Sequence, residues 1–229
     1  MPKSVGAAPH AKIVGKVWLP EFEEHLDHMM INNRKHMRVV DGKHTYQYHK
    51  LEPCMNFMKH AASPFINCVD IGGHVGLWAM WLVNFFNHVH IFEPLKSHYD
   101  IIPYNMEKDN YTIHKVALGK ESGSVSMEVN PTFTGGAHIN GEGDIPMITL
   151  DSLELEDVNF IKIDVEGYEL QVVQGAEQTI RRCKPLMIIE QKGNDQKNFQ
   201  DIRNGAHKFL TKLGMKDLRV IAGDHIMGW

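Results

Sequence analysis

The stretch NCVDIGGHVG, residues 67–76, ends a short apolar run in Asp70 and then supplies Gly72, Gly73 and Gly76. A glycine turn after a strand lets backbone approach a ligand closely, and two cofactor classes use one. Dinucleotides need G-x-G-x-x-G, with a helix N-terminus on the pyrophosphate; these three glycines lack that spacing. A carboxylate at the strand tip would also repel a pyrophosphate. Asp70 instead favours a cationic ligand, and S-adenosyl-L-methionine, with its ammonium group and sulfonium centre, is one. His74 lies inside the turn, where its backbone can touch the methionine moiety. Glu93, in HIFEP at the end of the next apolar run, can accept hydrogen bonds from ribose hydroxyls in either cofactor class. The order and spacing of Asp70 and Glu93 favour a cofactor site over a helix cap and a solvated acid.

A second set of reactive residues follows. Asp164 ends the apolar run in FIKID, Glu166 follows it at the same parity, and Glu190 ends LMIIE. Transfer of a group to a hydroxyl needs a proton acceptor within hydrogen-bond reach, which a carboxylate or a histidine can be. Asp164 and Glu190 are the carboxylate candidates, and His138, among the glycines of TFTGGAHI, is the histidine. Lys162 lies in a run expected to be covered on both faces, so it needs an anionic partner; Asp164, Glu166 or Glu190 could serve. It is read equally as a structural ion pair and as a catalytic group. Val116 and Ala117 end a third apolar run and are expected to face an adenine. Carboxylates on neighbouring tips could hold Mg²⁺, but the fifth run reads IIEQK without paired aspartates, and no metal ligand is assigned. His88 and His90 in HVHIF flank a strand without ligand spacing. Trp78 and Trp81 are read as core.

These residues must be positioned by alternating strands and helices. Strands are expected at 66–71, 88–94, 111–118, 122–129, 159–164 and 184–192, with a terminal hairpin over 216–229 turning at Gly223-Asp224. Helices are expected over 74–86, 96–109, 168–182 and 200–214, the last ended by Gly214. Residues 130–144 read as a loop closing over ligand. Upstream, residues 1–12 read as a tail, 18–30 as a helix starting at Pro20, and 45–61 as a turn or short strand followed by a helix. The fold class is therefore α/β: a doubly wound, Rossmann-like, mostly parallel sheet of about seven strands, with a C-terminal antiparallel hairpin and N-terminal helices. Residues 1–65 form the tail and helical extension and 66–229 the main domain, one compact unit together. In such sheets ligands bind beyond the carboxyl ends of the strands, where Asp70, Glu93, Ala117, Asp164 and Glu190 fall.

Taken together, CVDIGGHVGLWAMWL, HIFEP, KVALG, ITLDSL, FIKIDVEGYELQVVQGA and LMIIEQ resemble the FkbM-type methyltransferases, over about residues 66–192. The resemblance implies a class I fold, S-adenosyl-L-methionine as methyl donor, and O-methylation of a sugar, glycan or other small hydroxylated compound. It carries nothing over to the segment before residue 66. Acceptor choice is expected to lie in the N-terminal helices and the 130–144 loop.

Composition narrows the classes. The 229 residues carry a formal charge of −4, and no basic, aromatic-rich stretch marks a nucleic-acid binder. RNA ribose 2′-O-methylation is therefore the second enzyme reading; a non-catalytic cofactor-binding subunit is a third, and a dehydrogenase is the weakest. Cys54, Cys68 and Cys183 are scattered and odd in number, which fits a reducing compartment. No signal peptide and no apolar run long enough for a bilayer appear, so a cytoplasmic location without membrane contact is expected.

Overall fold

The computed structural model describes residues 10–32, 39–40, 42–190 and 204–229. The first nine residues of the expected tail, and 191–203 at the junction of the expected fifth strand and last helix, lie outside them.

The central sheet has seven strands: β1 (Asn67–Ile71), β2 (His88–Phe92), β3 (Tyr111–His114), β4 (Val158–Ile163), β5 (Leu186–Ile189), β6 (Lys216–Ile221) and β7 (Asp224–Gly228). Their order is β6-β7-β5-β4-β1-β2-β3. β7 runs antiparallel to both its neighbours, and the other pairings are parallel. The chain starts in the middle, moves out to β3, and crosses back to β4. The reversal falls between β1 and β4, so the tips of these two strands border the crevice where such folds bind ligands.

Two apolar layers sandwich the sheet. Leu82, Val89, Ile91 and Phe160 belong to one, and Val69, Ile71, Ile161 and Ile163 to the other. Alternate residues of β1 and β4 thus serve opposite layers, which explains why these strands read as continuous apolar runs. The N-terminal segment joins the first layer through Val17, Leu19, Leu26 and Leu51. A buried asparagine adds a polar tie: Asn105 accepts from the Trp18 amide at 2.7 Å and donates to the carbonyls of Trp18 and Val75 at 2.9 and 2.8 Å.

Several elements differ from the sequence reading. Ala11–Val14 and Val17–Pro20 form a β-hairpin instead of the end of a tail and the start of a helix. Gly15 and Lys16 both have positive φ, the requirement of a tight two-residue turn, and Pro20 ends the second strand. The helix that follows starts only at His25. The expected helix over 96–109 becomes Lys96–Tyr99 and Ile102–Asn105, because Pro103 has no N–H to continue the first. The helix over 168–182 divides into Glu169–Gln174 and Glu177–Cys183. Between them a Cβ on Gly175 would lie 1.9 Å from the Gly119 carbonyl oxygen; only glycine permits this approach.

The expected third strand also divides. β3 ends at His114, and Ala117–Leu118 pairs with Ile145–Ile148 in a separate three-stranded sheet. Residues 130–144 are not simply a loop: Phe133–Ile139 is a strand, paired antiparallel with Met127–Asn130. The C-terminal hairpin forms, but it turns at residues 222–223, one position before the expected Gly223-Asp224, and Asp224 already pairs with Ile221.

Candidate active site

Two clefts open at the carboxyl end of the sheet. The first, about 590 Å³, is bordered by Gly72, His74, Glu93, His98, Val116 and Ala117, with Asp164, Glu166 and Tyr168 on its far side. The second, about 960 Å³, is bordered by His25, Tyr46, Gln47, Trp78 and Glu190. Gly72, His74, Gly135, Asp164 and Glu166 line both. The clefts therefore meet at the tips of β1 and β4.

Backbone contacts set that junction. The Asp164 amide donates to the Ile71 carbonyl at 3.2 Å, and the Glu190 amide to Ile163 at 3.0 Å, so the three strand tips end level. Gly72 sits at φ +74°, and a Cβ there would lie 1.8 Å from the Asp164 carbonyl oxygen. A Cβ on Gly73 would meet the Ile91 side chain at 2.3 Å. Any side chain at these positions would push the β1 turn away from β4 and β2.

Asp70 does not open onto the first cleft. It is fully buried, directly opposite Lys162 in the register of the adjacent strand, and Lys162 Nζ lies 3.2 Å from its Oδ1. The same ammonium donates to the carbonyls of Ile71 at 3.2 Å and Gly72 at 2.6 Å. Burial alone would lower the Lys162 pKa, but the charges of Asp70, Asp164 and Glu190 outweigh it and raise it. Burial raises the Asp70 pKa while Lys162 opposes the shift. Lys162 is thus a buried cation that clamps the β1 turn from beneath. Of the partners weighed from sequence, Asp164 and Glu190 act on it through space; the close one is Asp70.

Glu93 is held in place. Its Oε2 accepts from the His74 amide at 2.8 Å, and its Oε1 from the Leu95 amide at 3.0 Å and His98 Nδ1 at 3.2 Å. His98 is buried, and its Nε2 has no hydrogen-bond partner among the described residues. His74 packs against His98 with ring centroids 4.2 Å apart. Burial, His98 and Lys162 push the His74 pKa well below the usual imidazole value, so the ring is neutral. Its Nε2 meets Thr134 Oγ1 at 2.8 Å, and that hydroxyl donates to Glu23. With the hydroxyl proton committed to Glu23, the His74 tautomer is Nε2–H.

Thr134 belongs to the strand Phe133–Ile139, whose Thr134, Gly135, Ala137 and Ile139 line the first cleft. Glu23, fully buried, accepts from both the amide and the hydroxyl of Thr134, and its other oxygen from the Leu26 amide at 2.8 Å. A carboxylate of the N-terminal segment thereby fixes the strand that covers the cleft. His138 lines neither cleft: its Nδ1 lies 3.2 Å from the Gly136 carbonyl and its Nε2 is 3.9 Å from Glu128. Val116 and Ala117 reach the first cleft although β3 stops short of them.

Across the junction, oxygens of Asp164, Glu166 and Glu190 all lie within 4.8 Å of one another. Glu166 is at φ +52° and Gly167 at +103°, a turn tied by Glu169, which accepts from the amides of Val165 and Gly167 at 3.3 and 3.1 Å. Burial pushes the Glu169 pKa up to about 7 against these bonds.

Glu23, His98, Thr134 and Gln47 were absent from the sequence reading. Gln47 accepts from Trp78 Nε1 at 2.9 Å in the second cleft's wall. The only sequence signal for His98 was its place just after HIFEP; Glu23 and Thr134 stand 111 residues apart and share no motif.

The sheet order and the site at its switch point define a Rossmann-like, class I type of methyltransferase fold. The profile of the methyltransferase FkbM domain matches residues 70–215, and the chain belongs to that family of methyltransferases. Hexuronic acid methyltransferase AglP of Haloferax volcanii is 27% identical over 153 residues, covering 63% of each chain. Methyltransferase 1 of Beauveria bassiana is 23% identical over 161 residues, 56% of this chain and 64% of its own. The matches thus span somewhat under two thirds of these relatives. The crystal structure of an FkbM methyltransferase from Methylobacillus flagellatus KT superposes with a TM-score of 0.50 at 17% identity, covering 75% of this chain and 46% of the other. Among the described residues no helix is long and apolar enough to cross a membrane.

Proposed function

We propose that the protein transfers the methyl group of S-adenosyl-L-methionine to a hydroxyl of a sugar or a similarly small hydroxylated compound. The observation that carries this is the junction itself: Asp164 and Glu166 border both clefts, so a donor in one and an acceptor in the other meet at a carboxylate. Support for a sugar comes from the name of the Haloferax relative.

The first cleft fits the donor. Gly72, which lines this cleft, lets the β1 turn lie close against Asp164 and presents bare backbone to the methionine portion. Glu93 faces the ribose, with one lone-pair site on Oε2 left by the His74 amide. The orphaned His98 Nε2 is matched to a polar atom of the ligand. Val116 and Ala117 offer an apolar wall for adenine. Asp70 supports the turn through Lys162 and does not touch the ligand.

The bound donor supplies an electrophilic methyl carbon on sulfur. The acceptor oxygen bonds to that carbon as the carbon–sulfur bond breaks, with S-adenosylhomocysteine leaving. An alcohol must lose its proton as it attacks, and general bases contribute about 10²–10⁴-fold. Asp164 takes the proton, with Glu190 and Glu166 beside it. Lys162, kept protonated by its acidic neighbours, cannot be the base. Holding oxygen and carbon in line accounts for much of the remaining acceleration.

The test is calorimetric titration with S-adenosylmethionine, S-adenosylhomocysteine and NAD, followed by transfer of labelled methyl to neutral and uronic sugars. Binding of the first two alone, with label on a sugar hydroxyl, is expected. Asp164→Asn should lower kcat by about 100-fold or more while the donor still binds. Binding of NAD alone, or full turnover by Asp164→Asn, would refute the scheme.

A further inference from the structure

A second cluster of ligating side chains lies away from both clefts. His207 on the helix Gly205–Leu213, Asp217 on β6 and His225 on β7 place one ligand atom each within 4.8 Å of the others. His207 Nε2 is 2.8 Å from Asp217 Oδ2, and His225 Nδ1 is 2.9 Å from Oδ1. The imidazole centroids are 4.4 Å apart.

The convergence is built by the fold. Asp217 pairs with Met227 and Arg219 with Ile226, so Leu218 is an extra residue on β6. Such a bulge re-aims its neighbours. Met227 packs with Ala206 and Leu210 of the helix, so Asp217, opposite it, faces the helix. His225, two residues before Met227 on the same strand, shares that face. Three separate elements thus aim two imidazoles and a carboxylate at one point.

We propose that His207, Asp217 and His225 bind one divalent cation of the Zn²⁺ class, pinning the helix to the C-terminal hairpin. Zn²⁺ takes imidazole nitrogen and carboxylate oxygen at about 2.0–2.2 Å, so neighbouring ligand atoms on a tetrahedral ion stand about 3.3 Å apart. The observed 2.8 and 2.9 Å contacts need open by only about 0.5 Å. The carboxylate has one oxygen toward each ring, and the half-exposed position leaves room for a water as fourth ligand. Mg²⁺, which demands oxygen ligands, does not suit two imidazoles. The same hairpin contributes Ala222 to the second cleft, and Asp224 pairs with Lys50 at 2.6 Å. The ion would therefore steady one wall of the acceptor cleft. This inference stands independently of the methyl-transfer scheme.

The chain's other histidines require a control. His90 Nδ1 lies 3.1 Å from His114 Nε2, beside His88, and this imidazole group serves as the control. ZnCl₂ is titrated calorimetrically into chelator-stripped full chain, with parallel thermal unfolding. We expect one Zn²⁺ per chain at micromolar affinity, weakened about tenfold or more by His207→Ala and by His225→Ala, and unchanged by His90→Ala. Zn²⁺ should raise the Tm of the parent but not of His207→Ala, and Mg²⁺ should raise neither. No binding, or binding lost in His90→Ala and intact in His207→Ala, overturns the proposal. His207 is partly exposed, so if His225→Ala does not fold, His207→Ala decides alone.

Discussion

Replacing Lys162 by methionine tests whether Asp70 is a structural anion. The parent pair is 3.2 Å apart, with Asp70 fully buried and Lys162 5% exposed. Methionine keeps the apolar stem and removes the charge. Asp70 must then either remain as an unpaired buried anion or take up a proton. Protonation sets the ceiling on the loss. An exposed aspartate titrates near 3.9 and each pH unit is worth about 1.36 kcal/mol, so neutralising Asp70 at pH 7 costs about 4 kcal/mol. At pH 5 the same step costs about 1.5 kcal/mol. The sign follows from linkage. In the variant the folded-state pKa of Asp70 lies above its unfolded value, so the native state binds the extra proton and stability falls as pH rises above about 4. The lost bonds to the Ile71 and Gly72 carbonyls add a component that does not vary with pH. Urea unfolding at pH 5, 6 and 7 should show the deficit of Lys162→Met relative to the parent growing with pH, by up to about 1.4 kcal/mol per unit and by less where the parent's own raised Asp70 also binds a proton. Lys162→Met with Asp70→Asn should lose that slope. A deficit under about 1 kcal/mol at pH 7, or one that does not change with pH, would refute the account, since breaking a buried pair ordinarily costs about 3–5 kcal/mol.

Three further outcomes follow from the site. Glu169, raised from 4.5 to about 7 by burial, holds its proton in the native state while the unfolded chain releases it. Stability therefore declines from pH 4.5 to 7 by about 3 kcal/mol, and Glu169→Gln should flatten that decline in chemical unfolding; an unchanged pH profile would count against the shift. His98 lines the donor cleft, and His98→Phe removes its orphaned Nε2; calorimetry should show S-adenosylmethionine binding weakened by about tenfold, the worth of one hydrogen bond in a buried site, and an unaltered Kd would mean the nitrogen meets no ligand atom. Methyl transfer should continue in EDTA if Asp164 works as a base. Activity abolished by EDTA and restored by Mg²⁺ would instead make Asp164, Glu166 and Glu190 a cation site.

What the sequence determined by itself was whatever is local in the chain. Apolar runs of strand length, the glycine turn after Asp70, the acid after HIFEP and the IDVEG turn are set by residues within a few positions of one another. Their alternation with helical segments was enough for the parallel sheet and for a site at its carboxyl end. Val116 and Ala117 reach the cleft although β3 ends at His114, because they follow it directly. Distant partners were another matter. Asp70 looked like a ligand-facing acid because nothing nearby neutralises it; its cation is Lys162 on the neighbouring strand, brought in by sheet register. Glu23 and Thr134 carry no motif, and only packing of the N-terminal segment on the Phe133–Ile139 strand joins them. That strand read as a loop because its glycines and the preceding proline suppress local β preference, which pairing with Met127–Asn130 overrides. The first hairpin was likewise hidden, since its turn depends on positive φ at Gly15 and Lys16. Local conformational preferences are written in neighbouring residues, whereas the charge state and orientation of a buried group depend on whichever side chain the folded topology sets against it.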